Sequence, residues 1–396
     1  MRRSSAIVSL ALASVFAACS SDSPVAPDGA DLRSASPQAA QTYIVTFRDG
    51  VTDVSGFANS LARRGGFQLD AVRLHAARGF TAVIPARFVA ELRADPNVAI
   101  VEADYTMQLR LPEETARPGG GGTSGQQVSY GLNRVGGSGD GTGKTAWIID
   151  TGIDLDHPDL NTSKACHANF VSRATSPDDG NGHGTHVAGT IAAKNNALGT
   201  LGIAANAYVC AVRVLDNRGS GQYSWIIAGV NYVAANGGNG DVANMSLTGS
   251  GSNQTLEKAV SDAAGKGIKF ALAAGNDGQP ASNFTPARVN GANIYTVSAV
   301  NNVDCMASWS NYGNPPVDYA APGVGIVSTY RGGGTKSLSG TSMAAPHVAG
   351  ILLMGSIRSD GDPQTARPEP VGAPASPFIQ PDQPNPVLRI RRSPCA

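Results

Sequence analysis

Five stretches of this chain are apolar on both faces of a would-be strand: TAWII at 145–149, YVCAVRV at 208–214, VANMS at 242–246, IKFALA at 268–273 and IYTVSA at 294–299. A strand with no polar face must be covered on both sides. Segments 182–194, 223–236 and 253–266, which lie between them, have the apolar spacing of helices. Such strands alternating with helices predict an α/β fold, a doubly wound, mostly parallel sheet with helices on both faces. Ligands of such sheets bind beyond the carboxyl ends of the strands. Gly accounts for 48 of the 396 residues, well above the usual share of about 7%. That fits many tight turns and close backbone approaches.

The sheet domain is read from 128 to 359, and the flanks have a different texture. Residues 42–110 run strand (43–47), helix through Phe57 and Leu61, two strands in FQLDAVRLHAARGFTAVIP, helix with Phe88, Val89 and Leu92 on one side, and strand VAIVEADY. That β-α-β-β-α-β order predicts a small ferredoxin-like α+β domain, marginal on its own. Residues 111–127, with four consecutive glycines, read as a linker. At the start, Arg2 and Arg3 precede an apolar run from Ala6 to Ala18, too short to span a bilayer, so 1–19 is an export segment. Two endings are open: ordinary cleavage after the small residues Ala17 and Ala18, or lipidation at Cys19. Residues 20–41 read as a flexible tether. Residues 360–396 hold nine of the 24 prolines and almost no apolar periodicity, which predicts a disordered tail.

Charge excludes some functions. Lys+Arg 30 against Asp+Glu 30 gives a net charge of zero, with no basic patch for nucleic acid. Past the export segment no stretch approaches the length of a membrane-spanning helix. Five cysteines are too few for a disulfide scaffold, although export makes disulfides permissible.

Three segments carry chemistry. In WIIDTGIDLDHPDL, Asp150 follows a buried-type strand; in DGNGHGTHVAGT, His183 opens a helix; in SGTSMAAPHVAG, Ser342 sits at another helix start. Singly they read as a cap, a core histidine and an N-cap. Together, each at a strand end or helix start of one sheet domain, they supply a carboxylate, a base and a nucleophile. A serine hydroxyl needs such a base within hydrogen-bond reach.

These segments resemble those of the subtilisin-like serine proteases, proteinase K type, over roughly 128–350, in the order Asp, His, Ser. Residues 42–106 resemble the inhibitory propeptide of that family through YIVTF, GFTAVIP and VAIVEAD. The resemblance implies a serine endopeptidase with Asp150, His183 and Ser342 as its triad; the alternative is a catalytically silent binding or assembly lipoprotein of the same architecture. Ser342 would attack, His183 would move the proton and Asp150 would orient the imidazole. His186 and His347 share the motifs without being the base and are expected to be satisfied locally. Asn276, in FALAAGNDG, would be the side-chain donor of the oxyanion hole. Pro346 is expected within the first turn or so of the serine helix, where its missing N–H costs least.

The resemblance further implies a cleft for polypeptide substrates. Gly219, Ser220 and Gly221 would lie on one side of an extended peptide, and Ser246, Leu247 and Thr248 on the other. Ala273, Ala274 and Gly275 would line the first specificity pocket. Nothing charged lies in that segment, so cleavage after apolar or aromatic residues is expected. The propeptide would inhibit its own enzyme, its end near Tyr105 to Arg110 in the cleft and processing near Leu111. The precursor would be membrane-held if lipidated; the mature form would be an exported monomer. No catalytic cofactor is implied. Structural calcium is, with Asp318 matching a ligand of one family site. Cys166 and Cys210 are expected in or near neighbouring strands, and a disulfide between them competes with pairings of Cys305 to Cys395 or to either of these. The resemblance also implies a further strand and helix past the serine helix, which the Pro-rich residues 360–396 are not expected to form.

Overall fold

The computed structural model describes residues 40–112, 125–361 and 376–377. The export segment with Cys19, most of the tether, the glycine run of the linker and nearly all of the tail, Cys395 included, lie outside the described residues.

The small domain has the expected element order: β1 (Gln41–Phe47), α1 (Val54–Gly65), β2 (Leu69–Arg73), β3 (Gly79–Ile84), α2 (Ala86–Ala94) and β4 (Val98–Ala103). Its four strands pair antiparallel in the order β2-β3-β1-β4. Asp53 accepts the Gly56 N–H to start α1, and Gly66, in the left-handed conformation, ends it. Leu61, Phe88 and Leu92 close one face of the sheet over Val45, Phe47 and Phe80. On the other face Ile44, together with Ala76 and Ala77 of the loop between β2 and β3, joins the core of the larger domain. A further short strand, β5 (Thr106–Gln108), leaves the domain toward its neighbour.

The larger domain contains β6 (Thr145–Asp150), β7 (Ala168–Asn169), α3 (His183–Ala192), β8 (Tyr208–Arg213), β9 (Ser220–Gln222), α4 (Tyr223–Asn236), β10 (Val242–Met245), α5 (Gln254–Ala264), β11 (Lys269–Ala273), β12 (Ile294–Val300), β13 (Val317–Pro322), β14 (Ile326–Tyr330), β15 (Gly334–Leu338) and α6 (Thr341–Met354). Seven strands form a sheet in the order β13-β12-β11-β10-β6-β8-β7, every pairing parallel. All five expected strands are in it. β13, interrupted by Asp318 and closed by Pro322, and the polar hairpin β14-β15 have no clear apolar signature.

Side-chain alternation sets the two layers. Trp147 and Ile149 face α4 and α5 on one side; Ala146 and Ile148 face α3 and α6 on the other. Strand order reverses at β6, with β8 on one side and β10 on the other. A crevice therefore opens at the carboxyl ends of β6 and β10.

Cys166, just before β7, is disulfide-bonded to Cys210 of β8. That excludes Cys305 as a partner of either; Cys305 is also disulfide-bonded. Ser376–Pro377 pair antiparallel with Ser359–Gly361, so the tail expected to be disordered from 360 onward holds four described residues in strands. Among the described residues no helix is long and apolar enough to cross a membrane.

Candidate active site

Asp150 is the last residue of β6 and His183 the first of α3. His183 Nδ1 lies 2.7 Å from Asp150 Oδ1, with both side chains buried. The same oxygen accepts the Thr151 N–H at 2.7 Å. The loop leading into α3 is organised by Asp179, whose carboxylate accepts the N–H groups of Asn181, Gly182 and Thr185 and the hydroxyls of Thr151 and Thr185. Thr151 Oγ1 in turn accepts the Gly184 N–H. A Cβ on Gly184 would lie 2.1 Å from the Gly152 carbonyl oxygen, so only glycine lets helix and strand end meet this closely. Sequence reasoning missed Asp179, although an Asp just before a helix start is a capping signal.

Ser342 is the second residue of α6 and is buried. Its hydroxyl donates to the Ser246 carbonyl at 3.1 Å, while His183 Nε2 makes no hydrogen bond. Pro346 is the sixth residue of α6, beyond the first turn, where it removes a helix hydrogen bond.

Asn276 follows β11. Its Oδ1 accepts the N–H of Thr341 at 2.8 Å and the Thr341 hydroxyl at 2.9 Å. That fixes the amide so that Nδ2 donates to the Arg110 carbonyl at 2.8 Å. A Cβ on Gly340 would lie 3.5 Å from each of Asn276 Nδ2, Leu111 Cδ2 and the Ser342 nitrogen, so these groups share one small space. Buried Asn311 clamps the loop: its Oδ1 accepts from Asp277 and Gln279 N–H, and its Nδ2 donates to the Ala274 carbonyl. No sequence signal marked it. Gly275, at φ 107°, is required there, since a Cβ would come within 2.3 Å of Asn311 Nδ2.

The chain's own residues 105–110 fill the cleft. β5 pairs antiparallel with β9, Ser220 opposite Gln108 and Gly221 opposite Met107, and the Leu109 N–H donates to Gly219. This is the edge expected at Gly219, Ser220 and Gly221. The second expected edge does not pair with it. Ser246 and Leu247 are buried, and Gly249–Ser250 pair instead with Phe284–Thr285. A cavity of about 760 Å³ is bordered by Tyr105, Met107, Thr248, Asn276 and Asp277. Ala273, Ala274 and Gly275 are buried beside the site. The Arg110 side chain is 75% exposed, and its Nη1 lies 3.7 Å from Asp277 Oδ1.

His186 is buried, with Nε2 facing the carbonyls of Ile326 and Lys336 at 2.9 and 3.1 Å. Two acceptors fix the proton on that nitrogen, and these partners lie on β14 and β15, far off in sequence. His347 Nδ1 donates to Met343 O at 2.8 Å. Burial pushes both imidazoles down, His186 to about 3 and His347 to about 4, so both are neutral and neither serves as a base.

Asp318 accepts the Thr296 N–H at 2.8 Å, and burial raises its carboxyl to about 6. Among the described residues no cationic side chain pairs with it. A divalent cation would offset that desolvation, so Asp318 fits a calcium ligand. Among the described residues no three acidic, His or Cys side chains cluster as a metal site.

The sequence profile of the subtilase family matches residues 141–357. Subtilisin E of Bacillus subtilis (strain 168) is 40% identical over 325 residues, covering 79% of this chain and 79% of that protein. Subtilisin-like protease 1 of Arthroderma otae is 38% identical over 340 residues, 78% of this chain and 66% of that protein. Among solved structures, that of a cold adapted subtilisin-like serine proteinase has 40% identity and a TM-score of 0.51, covering 57% of this chain and 83% of that one.

Proposed function

This chain belongs to the subtilase family of serine endopeptidases, and from that premise we propose that it is a zymogen that cuts itself at Arg110–Leu111 and then hydrolyses polypeptides through an acyl-enzyme. Ser342 Oγ attacks the carbonyl carbon and passes its proton to His183 Nε2. His183 returns that proton to the leaving amine, and water repeats the sequence to release the acid. Asp150 holds the imidazole in the tautomer that leaves Nε2 open to accept and stabilises the imidazolium. Asn276 Nδ2 and the Ser342 N–H, at the start of α6, receive the developing oxyanion.

The observation that carries this reading is the Arg110 carbonyl on the Asn276 amide. It supports the reading of residues 42–110 as a propeptide that inhibits as a bound strand. Apolar or aromatic side chains would enter the pocket at 273–275. A basic one would run along its rim to Asp277, as Arg110 does. Asp318 would hold a structural calcium. Any lipid on Cys19 would stay with the removed part, leaving the catalytic domain free outside the cell.

The test is a fluorophosphonate probe with mass spectrometry on wild type and Ser342→Ala. The expected result is a label on Ser342, a mature N-terminus at Leu111, and neither in the variant. Processing and hydrolysis at full rate in Ser342→Ala would overturn the reading.

A further inference from the structure

Pro346 leaves a defect in the helix that carries Ser342. The carbonyl of Ser342 would ordinarily accept the N–H of the residue four places on. At that place stands Pro346, which has no N–H and whose ring crowds that carbonyl. The Ser342 oxygen therefore loses its usual helix donor in a buried site, where an unpaired acceptor is costly.

The defect is repaired from another element. Ser246, the residue after β10, donates its hydroxyl to the Ser342 carbonyl at 2.8 Å. Ser246 has its own orientation set: Asn244 Nδ2 donates to Ser246 Oγ at 2.8 Å. The main-chain carbonyl of Ser246 meanwhile accepts the Ser342 hydroxyl at 3.1 Å. Ser246 thus holds both polar oxygens of Ser342, and both residues are buried. The sequence placed Ser246 on the substrate edge, yet its side chain is committed to α6.

We propose that Ser246 is a positioning residue for Ser342: its hydroxyl replaces the helix hydrogen bond that Pro346 deletes, with Asn244 holding that hydroxyl in orientation. This rests on the reading of Ser342 as nucleophile. Without the link, the first turn of α6 is free to shift, moving Ser342 Oγ and the Ser342 N–H relative to Asn276 and His183. Misplacement by about 1 Å can cost on the order of 100-fold in rate.

The experiment is a cycle of Ser246→Ala, Pro346→Ala and the double variant, with kcat expressed per active site titrated by the fluorophosphonate probe. Ser246→Ala is expected to lower kcat by about 10- to 100-fold with KM nearly unchanged. In the double variant, the alanine that replaces Pro346 supplies the missing N–H to the same carbonyl, and most of the lost kcat should return. A residue that merely packs would not be rescued by a main-chain donor four residues along α6. A kcat within twofold of wild type in Ser246→Ala, a loss that falls on KM, or a double variant no faster than Ser246→Ala would each overturn the proposal. The probe separates the two readings. Label on a residue other than Ser342 sinks the nucleophile assignment, and this proposal with it. Label on Ser342 at the wild-type rate in Ser246→Ala sinks this proposal alone.

Discussion

Asn276 and Arg110, 166 residues apart in the chain, are joined by a 2.8 Å hydrogen bond from the side-chain amide of the first to the carbonyl of the second. The amide cannot turn over, because Thr341 gives its oxygen two hydrogen bonds. The donor is in place before any negative charge develops, which is the condition for its stabilising a transition state at little reorganisation cost.

Replacing Asn276 by Ala should therefore lower kcat by roughly 100- to 1,000-fold and leave KM nearly unchanged. Steady-state kinetics on a peptide amide measure this. A large rise in KM at normal kcat would assign Asn276 to ground-state binding instead.

The two carboxylates Glu102 and Asp104 finish helices of the other domain. Glu102 accepts the N–H groups of Gln254 and Thr255 at the start of α5. Asp104 accepts the N–H and hydroxyl of Ser224 at the start of α4, which has no side-chain cap of its own. Each such cap is worth about 1 kcal/mol, and these contacts join distant segments whose pairing limits folding. Glu102→Ala with Asp104→Ala, in a Ser342→Ala chain that cannot cut itself, should slow refolding by about tenfold or more. Stopped-flow fluorescence reads this, and an unchanged rate would remove the assisted-folding role.

Acid should destabilise the protein through its buried imidazoles. His186 and His347 have folded-state values depressed by burial to about 3 and about 4. The unfolded chain binds their protons from near pH 6.5 downward. The stability that they contribute is thus complete above that pH and is lost as pH falls toward the folded values. The loss is on the order of 3 kcal/mol for each histidine by pH 4. Thermal unfolding of Ser342→Ala across pH 4–8 should show it. His347→Asn, whose amide can still reach the Met343 carbonyl, should flatten part of the acid limb. An acid limb of unchanged depth would place the titration on other groups.

What could be read from sequence was local. Strands such as TAWII announce themselves because a buried run needs no knowledge of its neighbours, and each of Asp150, His183 and Ser342 sits in its own compact motif. The hidden part was relational. Asn311 acts on residues 274–279 from more than thirty positions away, and Ser246 acts on Ser342 across 96. The family resemblance put Ser246 at the substrate edge and carried no sign that its side chain holds Ser342. Arg110 was expected in the cleft, but its ion pair with Asp277 was not, since the pocket residues carry no charge and the rim carboxylate of Asp277 counts only once the loop is folded.

The borrowed caps also give the mature enzyme a clock. While residues 42–110 are attached, the first N–H groups of α4 and α5 have acidic partners; in the proposed mature form they would face water. On the assisted-folding reading, an opened mature molecule would close again slowly, and a neighbouring copy would have time to digest it. Persistence of such an enzyme is a rate of opening rather than an equilibrium constant. Its apparent melting temperature should move with the speed at which it is heated, and its working life should be counted in half-lives.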